Sequence, residues 1–144
     1  MKIAICGSLD FILEMKNTHD RLVVQGHTVL MPKSAEMVIK GEILEQEIKD
    51  ENLDSTKRIE RKIKLDAIKR HYNKIAESDA ILVLNYTKKN IENYIGGNTF
   101  LEMGFAHVLD KKIFLLNPVP KMPYTDEILA MMPEVIGTDL SKIA

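Results

Sequence analysis

Apolar residues fall into short solid blocks separated by longer stretches in which they recur every three or four positions. Lys2 to Cys6 is a compact β-like run, Gly7-Ser8 breaks it, and Phe11 to Val24 carries helical spacing that Gly26 is suited to stop. Thr28 to Met31 gives a second short strand, closed by Pro32. Strand, glycine turn, helix and strand in that order spell a βαβ unit. Further on, Ile59, Ile63, Ala67, Ile68, Tyr72 and Ile75 form an apolar stripe that predicts one helix from about Thr56 to Glu77, parted from a preceding helix at Asn52 to Ser55. Ala80 to Leu84 is a third strand, followed by a polar loop from Asn85 to Asn98 and a helix from Thr99 to about Leu109. Lys112 to Leu116 is a fourth strand. Pro118, Pro120 and Pro123 then enforce an irregular loop before a short helix near Thr125 to Met131 and a weak fifth strand at Glu134 to Ile136.

Strands that alternate with helices predict a parallel sheet covered on both faces. The expected fold is one α/β domain over residues 1–144, doubly wound and flavodoxin- or Rossmann-like, with about five strands. The stretch from about 42 to 77 reads as a charged helical insertion. Between Glu42 and Arg70, 16 of 29 side chains are charged and their signs alternate, which suits a solvated helix face; a partner-binding helix is the weaker reading.

Composition narrows the classes. An apolar share of 45% supplies a core, and 28% charged residues argue against membrane and fibrous chains. No apolar run is long enough to span a bilayer, and Met1 leads straight into the first strand without signal-peptide anatomy, so a cytoplasmic setting is expected. The single cysteine, Cys6, reads as a small core residue in a reducing compartment. Twenty basic and 21 acidic side chains leave a formal charge of −1 with no basic run, which argues against a nucleic-acid polymer as partner and leaves free nucleosides and nucleotides open. His19, His27, His71 and His107 lack metal-ligand spacing, so neither a metal nor another cofactor is expected.

Ligands of open parallel sheets gather outside the carboxyl ends of the strands. Small or polar residues stand at those ends here: Gly7-Ser8, Pro32-Lys33, Asn85-Tyr86 and Asn117-Pro118. Gly7-Ser8 offers backbone N–H groups to phosphate or sugar oxygens, or else Ser8 simply caps the following helix. The more informative segment is Gly96-Gly97-Asn98-Thr99, where a glycine pair allows close backbone approach and a helix begins. Glu102 then falls in the first turn, on one face with Phe105, Ala106 and Leu109. A carboxylate beside an apolar stripe is costly unless it is bound. Thr99-Phe100-Leu101-Glu102 also fits a capping box, in which Glu102 would accept from the Thr99 backbone N–H. Tyr86 and Tyr94 are the loop aromatics available to stack on a base.

Three stretches together resemble the nucleoside 2-deoxyribosyltransferase superfamily: Ser-Asp-Ala-Ile-Leu-Val-Leu at 78–84, Gly-Gly-Asn-Thr-Phe-Leu-Glu-Met-Gly-Phe-Ala at 96–106 and Lys-Lys-Ile-Phe-Leu-Leu at 111–116, with Ile-Cys-Gly-Ser at 5–8 in keeping. The resemblance implies cleavage or exchange of the N-glycosidic bond of a nucleoside or nucleotide, with Glu102 attacking the anomeric carbon, no cofactor, and a homodimer or larger assembly in which late-chain residues complete a neighbour's pocket. Helix-terminal placement would keep Glu102 ionised for that attack. Where the family carries a helical aspartate, this chain has His71, a candidate acid–base group. Ala4 stands at the family's strand-one tyrosine, Gly96 at its polar position six before the nucleophile, and Leu9-Asp10-Phe11 where phosphate-binding members carry arginine and glycine. Asp10 there disfavours a 5′-phosphate. These departures leave a second expectation, a nucleotide-binding or sensing domain that keeps the fold without the chemistry.

Overall fold

The computed structural model describes residues 1–144. Five strands, β1 (Lys2–Gly7), β2 (Thr28–Leu30), β3 (Ala80–Leu84), β4 (Lys112–Leu115) and β5 (Glu134–Val135), form one sheet in the order β2-β1-β3-β4-β5. Every neighbouring pair is parallel. The winding reverses between β1 and β3, where Cys6 pairs with Val83 and Gly7 with Leu84. A ligand crevice in a doubly wound sheet lies beyond that pair.

Side-chain alternation sorts the core into two layers. Ile3, Ile5, Leu82, Leu84 and Phe114 face one side, against α1 (Ile12–Val24), α2 (Lys33–Ile39) and the C-terminal residues Leu140 and Ile143. Ala4, Cys6, Ile81, Val83, Ile113 and Leu115 face the other, against α5 (Ala67–Ala76), α6 (Gly97–Val108) and Ile128 of α7 (Thr125–Ala130). All five residues of β3 are buried, as a central parallel strand requires. Asp79 holds the amino end of the sheet by accepting the Lys2 backbone N–H at 2.7 Å. No helix is long and apolar enough to cross a membrane.

The charged segment departs from its apolar pattern. The expected single helix over 56–77 is two, α4 (Ser55–Lys64) and α5, broken at Asp66, whose backbone is left-handed at φ 47°. Asp is one of the few residues that tolerates that conformation. Asp54 caps α4 by accepting the Lys57 backbone N–H, and α3 (Glu45–Leu53) precedes it. Two arginines explain how α4 is turned. Arg61 donates to Glu51 Oε2 at 2.9 Å and to Asn52 Oδ1 at 2.8 Å, and Arg58 donates to the Asn52 carbonyl oxygen at 2.8 Å. These bonds draw the basic side of α4 inward, leaving Ile59 at 51% and Ile63 at 74% exposure. Of the expected stripe, only Ile75 is fully buried. A short helix follows Pro32, α2, which the strand-closing reading of that proline does not anticipate.

Candidate active site

The crevice is built from the turn after β1, the 85–98 loop and the start of α6. Gly7 is needed for closeness: a Cβ there would lie 3.2 Å from the Leu84 carbonyl oxygen across the strand pair. Ser8 Oγ accepts the Asp10 backbone N–H at 3.2 Å, capping the one-turn helix Leu9–Phe11, and also accepts from Lys88 Nζ at 2.8 Å. Asp10 is not a free charge facing the crevice. Its carboxylate pairs with Lys88 Nζ and accepts from Asn52 Nδ2, each at 2.8 Å. Burial acts to raise the Asp10 pKa, but Lys88 and Asn52 outweigh it and hold the group below its ordinary value.

Asn85 and Asn117 form a clamp. Asn85 Nδ2 donates to the Asn117 and Pro118 carbonyl oxygens, its Oδ1 accepts the Asn117 N–H at 2.8 Å, and Asn117 Nδ2 donates to the Asn85 carbonyl oxygen. Asn85 is fully buried, and its amide serves the ends of β3 and β4 instead of facing a ligand. Truncation would orphan several of these groups at once. Asn85→Ala is expected to cost about 2–4 kcal/mol, seen as a lower urea midpoint at unchanged slope; a loss under about 1 kcal/mol would remove the clamp from the account.

Tyr86 and Asn117 line a groove of about 270 Å³ with Arg21, Leu116, Thr138 and others, on the α1 side of the sheet. Tyr86 packs edge-to-face on Phe11 with ring centroids 5.2 Å apart. That groove and Glu102 lie on opposite faces, so the sequence-derived binding residues divide into two groups instead of meeting in one pocket.

The second group surrounds Glu102. Helix α6 starts two residues earlier than the spacing predicts, with Gly96 as its N-cap and Thr99 buried within the first turn. A Cβ at Gly96 would lie 3.1 Å from the Tyr94 ring, whereas one at Gly97 would meet nothing within 4 Å. Only Gly96 is therefore required by packing. Because the helix begins at Gly97, Glu102 is its sixth residue and sits beyond the first turn. The capping-box expectation fails for the same reason. Glu102 Oε1 instead accepts from Asn98 Nδ2 at 3.0 Å, one turn back.

His71 of α5 and Cys6 of β1 complete the cluster. His71 Nε2 lies 3.1 Å from Glu102 Oε2 and 3.4 Å from Cys6 Sγ. All three are buried, Cys6 completely and the other two to about 5–6% exposure. The Nε2–Oε2 approach is close but not aligned as a hydrogen bond, and both Glu102 Oε2 and His71 Nδ1 lack a partner. Burial pushes Glu102 up to about 8, although Cys6 and the charge of Lys62 oppose the rise. This overturns the expectation of an ionised resting carboxylate: desolvation outweighs a helix terminus that lies more than a turn away. Burial also lowers His71 to about 4, aided by Lys74 and opposed by the Ile5 carbonyl and Glu36. The Cys6 thiol is held above its ordinary value by burial, then by Glu102. Burial thus pushes all three groups toward their uncharged forms.

Sequence spacing shows no such cluster, because positions 6, 71 and 102 come from three separate elements. The legible signal was narrower: Cys6 ends a strand, and His71 occupies a helical position that the resemblance marks. Comparison with known protein families, curated proteins and solved structures finds no match to this chain.

Proposed function

We propose that this protein cleaves or exchanges the N-glycosidic bond of a nucleoside or nucleotide, with Glu102 as the attacking group and His71 as its proton acceptor. The observation that carries the reading is the approach of Glu102 Oε2 to within 3.1 Å of His71 Nε2, while Asn98 donates to the other carboxyl oxygen. A nucleophile, a base within reach and a third group that orients the carboxyl form the arrangement such chemistry needs.

The resting protonation states set the order of events. Glu102 begins neutral, so it must lose its proton before it can attack. Transfer to His71 at rest runs uphill, since burial favours the neutral form of both the carboxyl and the imidazole. Positive charge developing on the sugar carbon as the base departs makes the carboxylate favourable at that moment. The ester that forms is released by water in a hydrolase or by a second base in a transferase. With Asp10 neutralised by Lys88, a phosphorylated sugar is not repelled at the β1 turn.

The test is base release from a panel of nucleosides and nucleotides, followed by chromatography for the native chain and Glu102→Gln. Burial of Glu102 favours a second reading, a nucleotide-binding domain without turnover. Thermal stabilisation by a panel member with no base released would select it.

Cytoplasmic placement belongs to this reading, as the setting in which Cys6 stays reduced. So does self-association. Ile59, Ile63 and Ile68 with Leu101 and Val108 are apolar side chains of α4, α5 and α6 exposed by 46–77%. Their burial against a second copy is expected to give a dimer or larger species by light scattering, and Ile63→Asp to shift it toward monomer. A monomeric native chain at tens of micromolar would contradict the assembly.

A further inference from the structure

We propose that Cys6, His71 and Glu102 form a binding site for a thiophilic divalent cation of the zinc type. The cluster offers one thiol, one imidazole and one carboxyl, the three donor types zinc takes from proteins. Their ligand atoms all lie within 4.8 Å of one another. Tetrahedral zinc, with bonds of about 2.3 Å to sulfur and about 2.0–2.1 Å to nitrogen and oxygen, needs ligand atoms roughly 3.3–3.6 Å apart. The Sγ–Nε2 separation of 3.4 Å already meets that, and the Nε2–Oε2 separation of 3.1 Å is a few tenths short.

Hydrogen bonding gives the second argument. Buried polar atoms normally find partners, and an orphan costs about 1–3 kcal/mol. Here Glu102 Oε2 has none, although a ring nitrogen lies 3.1 Å away. Cys6 Sγ and His71 Nε2 are hydrogen-bonded at 3.4 Å, and the carboxyl oxygen left outside that bond is one that a central cation would engage together with them. The surroundings suit it as well: Asn98 already orients the carboxyl through Oε1, as the outer partners of metal ligands do. Asn98 is exposed, so solvent is one side chain from the cluster. Three protein ligands leave a fourth position for water.

Binding converts Cys6 to a thiolate and Glu102 to a carboxylate, and the two protons pass to solvent. The inference goes beyond the sugar chemistry and stands independently of it. A cation and a sugar carbon compete for the same carboxylate, so zinc would be an inhibitor of base release.

Cobalt(II) substitution of the full chain tests the site without any activity. One cobalt per chain is expected, with tetrahedral ligand-field bands and a near-ultraviolet thiolate-to-metal band that Cys6→Ser abolishes. Zinc affinity, measured by competition with a chromophoric chelator, should fall at least about a hundredfold in Glu102→Gln and in His71→Ala and be unchanged in Asp10→Asn. Circular dichroism checks that each variant is folded; if one is not, the remaining pair decides. Octahedral cobalt spectra, affinity insensitive to Cys6→Ser, or no binding by the folded native chain at micromolar zinc would overturn the site. Those results would leave the base-release reading untouched, and absent base release would leave the metal site untouched.

Discussion

Glu102→Gln is expected to reduce base release by at least about a thousandfold while leaving the fold intact. Glutamine keeps the shape of the side chain, and its amide oxygen still accepts from Asn98 Nδ2. It neither ionises nor forms a glycosyl ester, so the covalent route closes. His71→Gln is expected to lose about a hundred- to ten-thousandfold, the range of a general base, and to alter the dependence of rate on pH. Steady-state rates on the best panel substrate check both. Turnover within tenfold of the native chain in Glu102→Gln would remove the nucleophile from the account, whatever His71 does.

The second large effect is on stability. Glu102 rises from 4.5 in the unfolded chain to about 8 on folding, and His71 falls from 6.5 to about 4. Above pH 4.5 the unfolded chain releases the Glu102 proton while the folded chain keeps it, which lowers stability with rising pH. Below pH 6.5 the unfolded chain gains a proton on His71 that the folded chain refuses, which lowers stability with falling pH. Between about 4.5 and 6.5 the two slopes cancel. From 6.5 to 8 only Glu102 acts, and stability is expected to drop on the order of 2 kcal/mol. Urea denaturation across pH 5–8 reads this directly. Glu102→Gln should abolish the alkaline drop, and a native chain whose stability stays flat from pH 6.5 to 8 would mean that Glu102 is ionised in the folded state.

The α/β architecture was legible because its strands are short apolar blocks bounded by glycine, proline and asparagine. β3 lies where the block Ala80 to Leu84 places it, and the parallel order follows from the intervening helices. Orientation of the charged segment was not legible. Its apolar stripe is genuine as a pattern, but Arg58 and Arg61 bind Glu51 and Asn52 across a turn, and the break at Asp66 rotates the halves independently. Pattern reading assigns the apolar side to the core and has no view of such tertiary bonds. The same limit applies at Glu102. A start at Gly97 instead of Thr99 moves the carboxyl from the first turn to the second, and burial, which the pattern does not show, raises its pKa above the ordinary value. The resemblance singled out Glu102 and His71; that Cys6 joins them is a product of the fold alone.

Two asparagines illustrate how position at a strand end differs from availability. Asn85 and Asn117 stand where ligands of such sheets gather, yet their amides are bonded to each other's backbone. Asn117 still borders the groove beside Tyr86, whereas Asn85 is wholly enclosed.

The central claim is that the Glu102 carboxyl becomes bonded to a sugar carbon. Acid-quenched intact-mass measurement during turnover of a slow 2-fluoro nucleoside substrate tests it most directly. The account predicts an added mass equal to the sugar without its base, carried on the peptide that contains Glu102. Rapid base release with an unmodified chain throughout, or the sugar carried on any other residue, would contradict it.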